Sequence, residues 1–136
     1  MPDIRQPRPT RVLIIDDDAT ALEFFEHMLV EEGYVVCAVQ SVEAGLAEAA
    51  SHTPDAVLLD LHLPVMGGLE CLRRFRAAPL RLMMPVAILT GDYFLDDEVA
   101  RELAGLGARI YFKPIWDTDL PHIMEALVSQ PASQQP

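Results

Sequence analysis

The stretch RVLIIDDDAT, residues 11–20, runs four apolar residues straight into three consecutive carboxylates, Asp16, Asp17 and Asp18. Two like charges about 4 Å apart repel by roughly 4 kcal/mol at an effective dielectric near 20. A chain that gathers acids at the end of a buried strand needs something there to offset them. A metal site and a covalent catalytic site are the two available answers, and the rest of the chain has to choose between them.

Working outward, the VLII pattern returns as AVLL at 56–59 and VAIL at 86–89. Apolar runs without alternation suit strands covered on both faces, as in parallel sheets. Strand-like runs are expected at 11–16, 34–39, 55–60, 85–90 and 109–113, with helical spacing after each, at 19–32, 42–51, 68–77, 95–106 and 117–129. In the first helix Leu22, Phe25, Met28 and Leu29 stand three and four residues apart, and Gly33 suits a left-handed C-terminal cap. Five βα units in one short chain imply an α/β fold, a three-layer αβα sandwich on a five-stranded parallel sheet.

The totals bound this picture. At 136 residues the chain holds one core rather than two. Its 51% hydrophobic and 23% charged residues are those of an ordinary water-soluble domain. A net charge of −11 opposes direct binding to nucleic acid, which asks for Lys/Arg patches. Cys37 and Cys71 lack metal-ligand spacing and read as free thiols in a reducing compartment. No apolar run approaches the ~20 residues that span a bilayer, and no signal-peptide pattern opens the chain, so a cytoplasmic location and no membrane partner are expected. Residues 1–9, rich in proline, read as a flexible arm; residues 130–136 read as a tail or linker stub; residues 10–129 are the domain.

In open parallel sheets, function gathers beyond the C-terminal strand ends. Those ends here are Asp16, Asp17, Asp60, Thr90 and Lys113. Taken singly, each is an ordinary turn former, helix cap or solvated charge. Taken together, three carboxylates suit a hard cation such as Mg²⁺, while a hydroxyl and an ammonium suit phosphoryl oxygens. A carboxylate can also serve as a covalent nucleophile in phosphoryl transfer.

With VLIIDDD (12–18), VLLDLHLPVMGGLE (57–70), VAILTGD (86–92) and FKPIW (112–116) in order, the chain resembles a response-regulator receiver domain of two-component signalling. The intervals are 43 residues from Asp17 to Asp60, 30 to Thr90 and 23 more to Lys113. The resemblance implies a flavodoxin-like strand order 2-1-3-4-5, and Asp60 as phosphoacceptor for a sensor histidine kinase or histidine phosphotransfer protein. It implies Mg²⁺ (or Mn²⁺) held by Asp16, Asp17, Asp60 and the backbone carbonyl of His62, with Thr90 and Lys113 on the phosphoryl group. Pro114 would follow Lys113 through a cis bond, and Asp18 and Asp92 are accessory candidates. The domain would phosphorylate and dephosphorylate itself without being an enzyme in the turnover sense. It would signal by conformational change to a downstream protein, with a phosphorylation-dependent homodimer as a further partner.

The turn after Asp60 is expected to use Pro64 and Gly67–Gly68, glycine being the natural residue where φ is positive. One departure stands out. The family's usual aromatic three residues before the lysine is Ile110 here, and Tyr111 comes one place later, on the opposite strand face unless a bulge intervenes. Two other readings of the same residues exist. D-x-D-x-T at 16–20 resembles the first motif of haloacid-dehalogenase-type phosphatases, with Asp16 as nucleophile and Asp18 as acid/base. A receiver fold can also serve as a docking module without phosphorylation. Tyr93, Phe94 and Trp116 read either as a partner surface or as residues packed on the last helix.

Overall fold

The computed structural model describes residues 8–78 and 83–129. Residues 1–7 of the arm read above as 1–9, and the tail 130–136, lie outside the described residues. Five βα units follow in order: β1 (Arg11–Ile15) and α1 (Ala19–Glu31), β2 (Val35–Val39) and α2 (Val42–Ser51), β3 (Ala56–Asp60) and α3 (Gly68–Ala77), β4 (Val86–Thr90) and α4 (Asp97–Gly105), β5 (Ala108–Phe112) and α5 (Leu120–Val128). All strands pair in parallel in the order β2-β1-β3-β4-β5.

Helices cover both faces. On one, Leu13, Val57, Leu59 and Ile88 meet α2, α3 and α4 through Val42, Leu72, Phe75 and Leu103. On the other, Val12, Ile14, Leu58 and Leu89 meet α1 and α5 through Phe25, Leu29, Ile123 and Met124. The central strands β3 and β4 are buried along their whole length, which is why their sequences carry no polar alternation. The edge strands β2 and β5 are only partly covered.

Local chemistry sets the helix ends. Asp18 caps α1 by accepting from the N–H groups of Thr20 and Ala21. At the other end Gly33 takes φ +97°, while the N–H groups of Gly33 and Tyr34 bond back to Val30 and Leu29, a Schellman closure. Two helices start later than their apolar spacing suggested. Asp96 caps α4, so the helix begins at Asp97 rather than Leu95. Pro121 has no N–H to give and fits only in a first turn, so α5 begins at Leu120 rather than Asp117. Arg8 forks onto Asp55 at 2.8 and 2.9 Å, and Asp55 also accepts from the Arg11 N–H, which pins the approach to β1. Both cysteines are free thiols; burial pushes that of Cys71 up to about 12. Among the described residues no helix is long and apolar enough to cross a membrane.

Candidate functional site

Three strands deliver the acidic cluster and its cation. Asp16 and Asp17 follow β1 directly, Asp60 ends β3, and Lys113 follows β5. Carboxylate oxygens of Asp16, Asp17 and Asp60 lie within 4.8 Å of one another. Asp16 is 2% exposed and Asp60 9%, whereas Asp17 is open to solvent. Lys113 Nζ sits 3.0 Å from Asp16 Oδ2 and 3.7 Å from Asp60 Oδ2.

The electrostatics follow from burial. Loss of hydration raises the Asp60 pKa above the ordinary carboxylate value, and neighbouring Asp16 adds to the rise. Lys113 and the His62 N–H, which donates to Asp60 Oδ1 at 3.2 Å, pull the other way without overcoming it. For Lys113, burial favours the neutral amine, but the Asp16 hydrogen bond and the charges of Asp16, Asp60 and Asp18 outweigh it and raise its pKa. One ammonium therefore faces three acids. A divalent cation with oxygen preference fits this donor set: carboxylates from two strands, one of them open to water and substrate oxygens.

Thr90, fully buried, ends β4 one residue beyond Leu89, which pairs with Asp60 in the sheet register. Its Oγ1 accepts the Asp92 N–H at 3.0 Å. His62 Nε2 lies 3.4 Å from Asp92 Oδ2, so the loops after Asp60 and after Thr90 meet through their side chains. That contact was not legible in the sequence, where the two residues are thirty apart. The third acid, Asp18, points its carboxylate at the first turn of α1 while its N–H bonds Asp16 Oδ1 at 2.9 Å. Lys113–Pro114 is cis.

Two expectations about the backbone change. In the turn after Asp60 the positive φ falls on Val65, at 69°, and not on Gly67, at −75°. Gly68 is needed for space instead: a Cβ there would lie 2.5 Å from the Asp60 carbonyl oxygen and 2.9 Å from Leu61 Cα. No bulge restores an aromatic to the slot of Ile110. The β4–β5 register runs evenly through Ile88–Ile110, Leu89–Tyr111 and Thr90–Phe112. Ile110 packs on the α4 side of the sheet and Tyr111 on the α1–α5 side. Phe112, two residues on from Ile110, emerges at the surface and stacks on Tyr93, with ring centroids 5.5 Å apart and planes 17° from parallel.

Beside Lys113 a groove of about 390 Å³ runs between α1 and the segment after β5, lined by Phe24, Ala21, Pro114, Ile115 and Trp116. Trp116 is 62% exposed there rather than packed away.

The response regulator receiver domain family model matches residues 12–125. The chain is 35% identical over 119 residues to the cell cycle transcriptional regulator CtrA of Caulobacter vibrioides, covering 87% of this chain and 50% of that protein. It is 37% identical over 100 residues to the response regulator MprA of Mycolicibacterium vanbaalenii, covering 74% of this chain and 41% of that one. The chain thus spans about half the length of these relatives or less. Among solved structures, a CheY-like receiver domain protein of Methanospirillum hungatei superposes with a TM-score of 0.81 at 31% identity, over 90% of this chain and 97% of that one. Vibrio cholerae CheY4 gives 0.82 at 25% identity, over 88% and 99%.

Proposed function

The chain belongs to the response-regulator receiver family, and from that premise we propose that it accepts a phosphoryl group on Asp60 from a phosphohistidine of a sensor kinase or phosphotransfer protein. The observation that carries this is the placement of Asp60: a buried carboxylate ending a central strand, sharing its rim with Asp16 and Asp17 and 3.7 Å from the Lys113 ammonium.

In this mechanism an Asp60 carboxylate oxygen attacks phosphorus in line with the P–N bond of the donor. The P–N bond breaks, its electron pair stays on the imidazole nitrogen, and an acyl phosphate remains on Asp60. Mg²⁺ held by Asp16, Asp17, Asp60 and the His62 carbonyl would neutralise the carboxylates and the phosphoryl oxygens when bound. Lys113 turns from Asp16 toward a phosphoryl oxygen, and the Thr90 hydroxyl donates to another. His62 and Asp92, meeting across the mouth of the site, limit the approach of water to the acyl phosphate. The apolar groove beside Lys113 gives the donor protein a surface next to Asp60, and a downstream protein takes the output.

Incubation with Mg²⁺ and acetyl phosphate tests the proposal. An acid-stable, base-labile adduct is expected by mass, absent in Asp60→Asn and only weakened in Asp16→Asn. Continuous phosphatase turnover abolished by Asp16→Asn would instead support the haloacid-dehalogenase reading. An adduct unaffected by Asp60→Asn would refute the assignment of the acceptor.

A further inference from the structure

The loop between β4 and α4 is fastened to the ends of β4 and β5 by two hydrogen bonds. The Asp92 N–H donates to Thr90 Oγ1, and the Tyr93 hydroxyl donates to the backbone carbonyl of Lys113. Thr90 and Lys113 are the two residues assigned above to the phosphoryl oxygens. The Tyr93 ring also stacks on Phe112, which faces Thr90 in the sheet register, and the Lys113 N–H closes the circuit onto the Thr90 carbonyl at 2.7 Å. Thr90 itself is fully buried, whereas Tyr93 is 61% and Phe112 44% exposed. The circuit therefore runs from the base of the site to the surface.

We propose that the stacked Tyr93–Phe112 pair is the latch that carries occupancy of the Asp60 site to the α4–β5 face. This rests on the phosphoryl reading of Thr90 and Lys113. As the structure stands, Thr90 Oγ1 is turned to accept from Asp92. Turning the hydroxyl toward a phosphoryl oxygen by rotation about χ1 carries Oγ1 off the Asp92 N–H and removes one of the two fastenings. Lys113, drawn toward the same group, shifts the carbonyl that holds the Tyr93 hydroxyl. The loop is then held by the ring stack and the His62–Asp92 contact, and it loosens from β5.

Ile110 cannot do this work. It has no hydroxyl to make or break a bond, its branched side chain is stiff at χ1, and it is packed against the core. The far end of α4 is held fast: Arg73 forks onto Glu102 at 2.6 and 2.7 Å, and Arg76 Nε bonds the Leu106 carbonyl at 2.7 Å. Motion released at Tyr93 therefore falls on the loop and on the first turn of α4, at Asp97 and Glu98. Phe94, 94% exposed beside them, is carried along.

The test uses the full chain with Mg²⁺ and beryllofluoride, reading amide exchange over residues 91–99 and the affinity for beryllofluoride. Acetyl phosphate adduct formation is followed in parallel. Tyr93→Phe keeps the ring and removes only the hydroxyl. It is expected to exchange faster in this segment before beryllofluoride is added and to bind it about fivefold more tightly, the factor one ordinary net hydrogen bond is worth. Phe112→Ala is expected to act in the same direction, and both variants still form the adduct. Wild-type affinity and wild-type exchange in Tyr93→Phe would overturn the latch. So would an unchanged segment 91–99 in a wild-type protein that does form the adduct. A wild-type protein that forms no adduct at all overturns the phosphoryl reading, and the latch falls with it.

Discussion

Asp60 keeps a carboxylate in a place that disfavours charge. Its pKa is raised, by burial first and by Asp16 second, from an ordinary value of 3.8. The folded protein then holds the proton more tightly than the unfolded chain, so stability falls as pH climbs from 3.8 through the raised value. Above that range the ionised side chain costs a constant amount. Asp60→Asn is therefore expected to melt at higher temperature than wild type in metal-free buffer at neutral pH. The gap should close as pH is lowered toward 3.8, which calorimetry across that range would check. Val65 is a second residue under tension. A β-branched side chain at φ 69° pays roughly 1–2 kcal/mol for the left-handed region, and glycine avoids this at an entropic cost of about 0.5–1 kcal/mol. Since Val65 is 99% exposed and packs on nothing, Val65→Gly should gain up to about 1 kcal/mol in denaturant unfolding.

At the scale of elements, the first turn of α3 sits hard against the end of β3. The Gly68 N–H bonds the Leu61 carbonyl at 2.8 Å, and its Cα faces the Asp60 carbonyl. In an exposed helix an alanine would gain up to about 1 kcal/mol over glycine. Here its Cβ would strike backbone at 2.5 and 2.9 Å, which no rotamer relieves, and overpacking of this kind costs about 1–3 kcal/mol. The clash wins. Gly68→Ala is expected to lower unfolding free energy by about 1 kcal/mol or more and to slow adduct formation from acetyl phosphate, because the strand end that carries Asp60 must shift. Gly45→Ala meets side chain rather than backbone, Ile15 Cδ1 and, at 2.9 Å, Cγ1, so it should be milder in both measurements.

For the whole molecule, the strand order decides where chemistry gathers. The sheet order 2-1-3-4-5 places β1 between β2 and β3, so the chain leaves β1 toward one side and returns on the other. A crevice opens beyond the C-terminal ends at that reversal, and Asp16, Asp17 and Asp60 flank it. A cation bound there links to global stability by mass action. Mg²⁺ at about 100 times its dissociation constant is expected to add about 2.7 kcal/mol to unfolding. The increment should shrink in Asp17→Asn and be accompanied by loss of the pH trend described for Asp60. Thermal melts with and without Mg²⁺ measure both.

The alternation of five βα units, the burial of the central strands and the identity of the strand-end residues are all legible in the amino-acid order. Each of these is written in local periodicity or in what directly follows an apolar run, so VLIIDDD, AVLLD and VAILT could be read without neighbours. It also settled the closure of α1 at Gly33, because that cap depends on one residue and its two neighbours. The start of α5 at Leu120 was written there too, in Pro121, though apolar spacing obscured it. It took the packed fold to determine which carboxylate Lys113 holds, that the Asp18 carboxylate caps α1, and that Val65 takes the positive φ in place of a glycine. The same is true of the Tyr93–Phe112 stack and the His62–Asp92 contact. Those outcomes depend on distances between segments far apart in the chain, which are fixed by sheet register and side-chain rotamers that local periodicity does not encode.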